Sequence, residues 1–205
     1  STAHILNSLS EKVGYDLRAV HVPKTIDNDL PVTDHCPGYG SAARFVALAL
    51  MGDNLDNKSL PGVKIDIIMG RHTGWLTAAS MLARQFPDDG PHLIYVPEAP
   101  VQMSQFVEDV DRVVQTHGRC LVAVSEGITD TQGELWAKNA TAIMEQDAHG
   151  NITLSGTGVL ADFLVSELRQ AKPNIKRMRG DTFGYLQRCF PGVVSKIDAQ
   201  EAYDV

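Results

Sequence analysis

The sequence has no Cys-x-x-Cys pair, and its three cysteines, Cys36, Cys120 and Cys189, lie far apart. That odd, scattered set supports neither a zinc site nor a disulfide framework, and it fits a reducing compartment, the cytoplasm. No Gly-Lys-Ser/Thr sequence occurs, which excludes a Walker A phosphate loop. No secretory leader is recognisable and no apolar run reaches spanning length, so no membrane is expected as a partner. The Asn-x-Ser/Thr triplets at Asn57, Asn139 and Asn151 therefore read as chance. Basic residues are also short: Lys and Arg total 18 against 25 Asp and Glu, a net charge of −7. That balance argues against a general nucleic-acid or membrane-surface binder. An anionic small substrate stays open, because local charge decides its binding.

What is present is apolar and periodic. The chain has 205 residues, 43% of them hydrophobic, enough for a sizeable core. Strands are predicted at 16–23, 63–70, 92–98, 119–127 and, short, at 174–180. Helices are predicted at 40–55, 73–86, 103–118 and 156–171, with Ser41, Thr73 and Ser104 at their starts and Gly118 as a stop. The strands are continuous apolar runs rather than alternating ones, as in sheets covered on both faces. The fold class is therefore α/β, doubly wound, with mostly parallel sheets. Polar residues over 129–155 read as a connection or excursion. The chain opens within what reads as a helix, "STAHILNSLSEKV", and closes in "DAQEAYDV", again within an element. A piece of a longer protein is expected.

Six stretches carry candidate chemistry. In "PKTIDND" (23–29) Lys24 can neutralise a phosphate, Asp27 can take a proton from a hydroxyl, and Asp29 can hold magnesium through water. Phosphoryl transfer needs that mixture; a solvated polar turn uses the same residues. "MGRHTGW" (69–75) leaves a strand and enters a helix: Gly70 permits close backbone approach and Arg71 can grip a phosphate or sugar hydroxyl. An ordinary strand-to-helix turn is the alternative. "VSEG" (124–127) puts Glu126 just after a buried strand, as a sugar-hydroxyl acceptor or a loop solubiliser, and Glu98 in "PEAP" holds an equivalent place as part of a rigid turn. "RMRGDTFGYLQR" (177–188) carries Arg177, Arg179 and Arg188 with Tyr185, a phosphate clamp or a solvated basic face. "GTGVLA" (156–161), with Asp181 farther on, has the spacing of a dinucleotide fingerprint, but follows a short, polar run.

Together, "PKTIDND", "MGRHTGW", "VSEG" and "FGYLQR" resemble the phosphofructokinase family in order and spacing, over nearly the whole chain. Lys24 makes the first stretch similar to the pyrophosphate-dependent branch. The resemblance implies two α/β domains facing across a cleft, with the donor-phosphate segment preceding Ser1 and the C-terminal end also missing. Residues 1–60 would be the remainder of the first domain, 61–155 the second, and 156–205 the sugar-phosphate segment. It implies Asp27 as base toward the C1 hydroxyl of fructose 6-phosphate, Thr25 and Ile26 lining the acceptor sugar, and Asp29 near Mg2+. Met69, Gly70 and Arg71 would contact substrate, Glu126 the sugar, and Tyr185 and Arg188 the 6-phosphate. Arg179 matches an arginine that reaches a neighbouring subunit's site, which makes a homo-oligomer expected. The donor would be pyrophosphate or, as the alternative, ATP; a non-catalytic regulatory subunit of the same fold is the third reading. In two places the chain departs from the family's pattern: Gly62 stands where an arginine is expected ahead of "MGR", and Cys189-Phe190 follow "QR" in place of Gly-Gly. These 205 residues alone are expected to be inactive.

Overall fold

The computed structural model describes residues 2–22, 24–140 and 158–204. Its centre is a sheet of four parallel strands: β1 (Val63–Ile68), β2 (Leu93–Tyr95), β3 (Cys120–Ser125) and β4 (Met178–Thr182), in the order β2-β3-β1-β4. The register sets Val63 beside both Cys120 and Met178, and Ile68 beside Ser125. All the carboxyl ends thus reach one edge.

Both faces are covered, as the continuous apolar runs predict. On one face, Ile65, Ile67, Val122 and Val124 pack with Phe106 and Val110 of α4 (Met103–His117). Leu160, Leu164 and Leu168 of α5 (Val159–Ala171) complete that layer. On the other, Ile68, Leu121 and Ala123 pack with Val46 and Leu50 of α2 (Tyr39–Ser59) and Leu76 of α3 (Trp75–Ala79). Each buried Leu, Ile, Val or Phe adds about 1.5–3 kcal/mol relative to exposure. α1 (Thr2–Val13), α6 (Leu186–Cys189) and α7 (Lys196–Asp204) complete the described helices.

Several boundaries differ from the sequence expectation. The clearest is the run at 16–23, predicted as a buried strand. Its described residues, 16–22, form no strand and are mostly exposed. An apolar run becomes a strand only where its N–H and C=O groups find a ladder partner. Here Asn7 of α1 supplies a substitute, accepting from Ala19 N–H at 2.7 Å and donating to Ala19 O at 3.0 Å. The 73–86 helix is also shorter: α3 passes at Ser80 into a 3-10 turn ending at Ala83. The final strand is Met178–Thr182 rather than 174–180.

The caps moved as well. Gly38, Gly74 and Gln102 precede α2, α3 and α4, none with a side-chain cap bond, so Ser41, Thr73 and Ser104 do not cap. Gly118 does end α4, in the left-handed conformation at φ 71°. Gly156 and the rest of 141–157 lie outside the described residues. Gly158 precedes α5, and no described strand leads directly into it. The sheet joins strands from the 61–155 and 156–205 segments.

Candidate active site

Four loops meet at the carboxyl edge. The loop after β1 begins at Met69, the loop after β3 at Glu126, and the segment after β4 at Phe183. Their backbones are bonded together: Gly70 O accepts from Gly127 N–H at 3.2 Å and from the Ser125 hydroxyl at 2.6 Å. Glu126, 6% exposed, donates its N–H to Ile68 O at 2.9 Å. Met69 N–H donates to Gln187 Oε1 at 3.1 Å, and Gln187 Nε2 donates to Gly184 O at 3.0 Å.

Glycine is required at two of these points by backbone crowding. Gly70 has φ 140°, and a Cβ on it would sit 2.5 Å from Thr73 O. A Cβ on Gly127 would sit 1.9 Å from Arg71 O. The 69–73 loop is thereby folded back on itself and pressed against the loop carrying Glu126.

The fourth loop, 24–29, precedes α2. Ile26, 6% exposed, anchors it in the core between α2 and α3. Asp27 N–H donates to Thr25 Oγ1 at 3.1 Å, and the Thr73 hydroxyl donates to Asp27 O at 2.8 Å. Thr73 therefore does not start a helix; it ties "HTG" to "IDN". Asn28 adopts the left-handed conformation at φ 56°, which asparagine tolerates better than most residues. Its side chain accepts from Cys36 N–H at 2.8 Å and donates to Asp34 O at 3.2 Å. Asp29 is exposed in an open hollow of about 560 Å³ that Asp34, Tyr39, Thr73 and Trp75 also line.

The electrostatics converge on Asp27. Burial raises its pKa from 3.8, and the Asp29 charge raises it further; Arg71, His72 and Lys24 pull it back without cancelling the shift. Among the residues the sequence named, Lys24, Asp29 and Arg71 thus act on the Asp27 carboxylate, and Thr25 holds the Asp27 backbone. Met69, Gly70 and Glu126 sit on the loops bonded to theirs.

Tyr185 and Arg188 are both exposed, and the guanidinium stacks 4.3 Å over the phenol ring. Gln187 between them connects their segment to Met69. Arg179 lies apart: it is beside Lys64 near the amino end of β4, away from the carboxyl edge. Glu98 holds a structural place, accepting from Gly74 N–H at 2.8 Å. Sequence reasoning missed His72, Thr73 and Gln187 as parts of this site. Their neighbours in "MGRHTGW" and "LQR" were the only signal.

Fold and edge together define a doubly wound α/β protein whose site lies beyond the strands' carboxyl ends, the usual ligand position in such sheets. The family model described as Phosphofructokinase matches residues 1–202, and the chain belongs to that family.

Among its relatives, a pyrophosphate--fructose 6-phosphate 1-phosphotransferase of Rhodospirillum rubrum is 57% identical over 204 residues, covering 100% of this chain and 50% of the relative. A protein of the same description from Methylococcus capsulatus is 37% identical, covering 98% of this chain and 46% of the relative. The crystal structure of a pyrophosphate-dependent phosphofructokinase from Marinobacter aquaeolei is similar with a TM-score of 0.79 at 35% identity, covering 98% of this chain and 46% of that one. The chain thus spans about half the length of the curated relatives it matches.

Proposed function

We propose that the complete gene product transfers a phosphoryl group from pyrophosphate to the C1 hydroxyl of fructose 6-phosphate, reversibly, giving fructose 1,6-bisphosphate and phosphate. One observation carries the reading: Asp27 sits half-buried with Lys24, Asp29, Arg71 and His72 acting on its charge. The names of the similar proteins supply the substrates.

In this reading O1 of the sugar attacks the donor's terminal phosphorus, the bridging P–O bond breaks, and Asp27 takes the O1 proton. A carboxylate with a raised pKa holds that proton better than an ordinary one. Lys24 offsets charge on the donor. Thr25 and Ile26 line the acceptor sugar. Met69, Gly70 and Arg71 contact substrate, and Glu126 accepts from a sugar hydroxyl. Tyr185 and Arg188 hold the 6-phosphate, with the guanidinium stacked over the phenol ring. Binding at that end is used to place O1 in line. Arg179, apart from the edge, serves a second copy of the chain. The 205 residues by themselves are inactive.

Magnesium fits the donor set. Asp29 offers exposed carboxylate oxygens, and its repulsion with Asp27 is one a cation relieves. Asp29, through water, would hold the ion, which supplies neutralisation of donor charge.

The test is an assay of the complete gene product with pyrophosphate and with ATP. Turnover with pyrophosphate is expected; turnover with ATP alone overturns the donor assignment. Asp27→Ser is expected to lower turnover by about 10²–10⁴-fold, and near-normal turnover would remove the general base.

A further inference from the structure

α2 starts at Gly38, which can offer no side-chain cap to the free N–H groups of the first turn. The cap comes instead from α7. Asp198, 8% exposed, accepts from Gly38 N–H at 2.9 Å, from Ser41 N–H at 2.6 Å and from the Ser41 hydroxyl at 2.5 Å. In return, Ser195 N–H donates to Ser41 Oγ at 2.9 Å, while Ser195 Oγ accepts from Asp198 N–H at 3.0 Å.

In a capping box, the acidic residue reaches back to the cap residue of its own helix. "SKID" (195–198) keeps the serine half of that box and exchanges the other half with α2, so Asp198 caps α2 while Ser41 accepts the N–H of the serine that caps α7. Burial pushes the Asp198 carboxyl up, but the bonds from Ser41 and Gly38 outweigh it and hold the group below the usual range. Asp198 is therefore an anion at two helix N-termini, where the helix dipoles favour it.

The clasp reaches the candidate catalytic loop through two contacts. A Cβ on Gly38 would lie 3.6 Å from both Lys24 Cε and Ile26 Cγ2, so Gly38 lies close beside both side chains. Farther along the same connection, Cys36 N–H holds the side chain of Asn28, next to Asp27. His35, between these points, is bonded to Glu201 of α7 at 2.9 Å. α7 thus grips the stretch that runs from the Lys24–Asp29 loop into α2.

We propose that Asp198 is a positioning residue for phosphoryl transfer. By capping α2 from α7 it fixes Gly38, and through Gly38 it fixes Lys24 beside the donor. This rests on the pyrophosphate reading above.

The test uses the complete gene product and Asp198→Asn, which keeps the side chain's size but turns an amide N–H₂ toward one of the two backbone N–H groups. Hydrogen exchange at the Gly38 and Ser41 amides is expected to speed up by at least about tenfold. The KM for pyrophosphate is expected to rise about tenfold, with a smaller rise in that for fructose 6-phosphate. In a Lys24→Met background the same substitution should change the pyrophosphate KM by less than about twofold. An equal effect in both backgrounds, an equal rise for both substrates, or unchanged exchange overturns the proposal. If Asp198→Asn does not fold, Ser41→Ala, which removes both hydroxyl bonds of the clasp but keeps the Gly38 and Ser41 N–H bonds to Asp198, is expected to show the same pattern at smaller size, and an unchanged pattern overturns it. If the parent protein does not use pyrophosphate, the functional reading fails on that measurement alone, while exchange at the two amides still decides the clasp.

Discussion

Asp27 is a carboxylate held where its charge is costly. Its pKa lies above 3.8 because burial and Asp29 oppose ionisation more than Arg71, His72 and Lys24 favour it. The native state therefore binds the proton more tightly than the unfolded chain. The stability this gives is fully present below the ordinary carboxylate pKa and lost as pH rises through the raised one. At neutral pH the ionised group destabilises the fold. Asp27→Asn is expected to melt higher than the parent at pH 7, with the gap closing toward pH 4, while losing activity by about 10²-fold or more. A melting curve and an assay on the same preparation check both. An acid limb in kcat/KM, inflecting above pH 3.8 in the parent, should belong to this group. At this scale the candidate site was legible where its residues sit in contiguous letters, as from Lys24 to Asp29, whose charges meet at Asp27. Thr73, Gln187 and Asp198 were not legible. Each acts on a backbone group far along the chain, and nothing local in "HTG", "LQR" or "SKID" points to that partner.

Elements were read correctly where burial was two-sided and long. β1 and β3 show it, and so do α2, α4 and α5, because continuous apolar runs and helical periods are local signals. The 16–23 run shows why the rule fails: apolar letters predict a strand, but pairing decides one, and here the partner was a side chain, Asn7. Helix starts were misread for a related reason. Glycine at 38 and 74 leaves the cap to another element, Asp198 in one case and Glu98 in the other. The loops between elements give a sharp prediction. Gly127→Ala places a Cβ 1.9 Å from the Arg71 carbonyl, which is backbone and cannot rotate away. Stability should fall by about 3 kcal/mol in chemical denaturation, and the KM for fructose 6-phosphate should rise as Arg71 shifts.

Across the molecule, a carboxyl group is buried in the middle of the sheet. Asp66 of β1 is 0% exposed; among the described residues neither of its oxygens has a hydrogen-bond donor within bonding distance, and Lys64 Nζ lies 4.0 Å from Oδ1. Burial above all, then the Asp53 charge, raises its pKa well above 3.8 against the pull of Lys64. Lys64 itself bonds Asp53 of α2 at 3.1 Å and Asp181 of β4 at 2.5 Å, linking one helix layer to two strands. Burial lowers the Lys64 pKa, but the bonds to Asp181 and Asp53 and the charge of Asp66 raise it further, to above the ordinary lysine value. Stability from Asp66 is thus present in acid and lost as pH rises, while Lys64 keeps its contribution until strongly alkaline pH. Asp66→Leu, which spares both close bonds of Lys64, is expected to raise stability at pH 7 by about 1–4 kcal/mol, read from denaturation midpoints. None of this was visible in "VKIDII", where Asp66 looked like one polar letter in an apolar run.

Gln187 joins the "MGR" loop to the "FGYLQR" segment through its side-chain amide. On the proposed reaction, Gln187 would set the spacing between the two substrate-gripping segments, while Arg71 and Arg188 would decide which groups are gripped, so that reach and recognition could change separately.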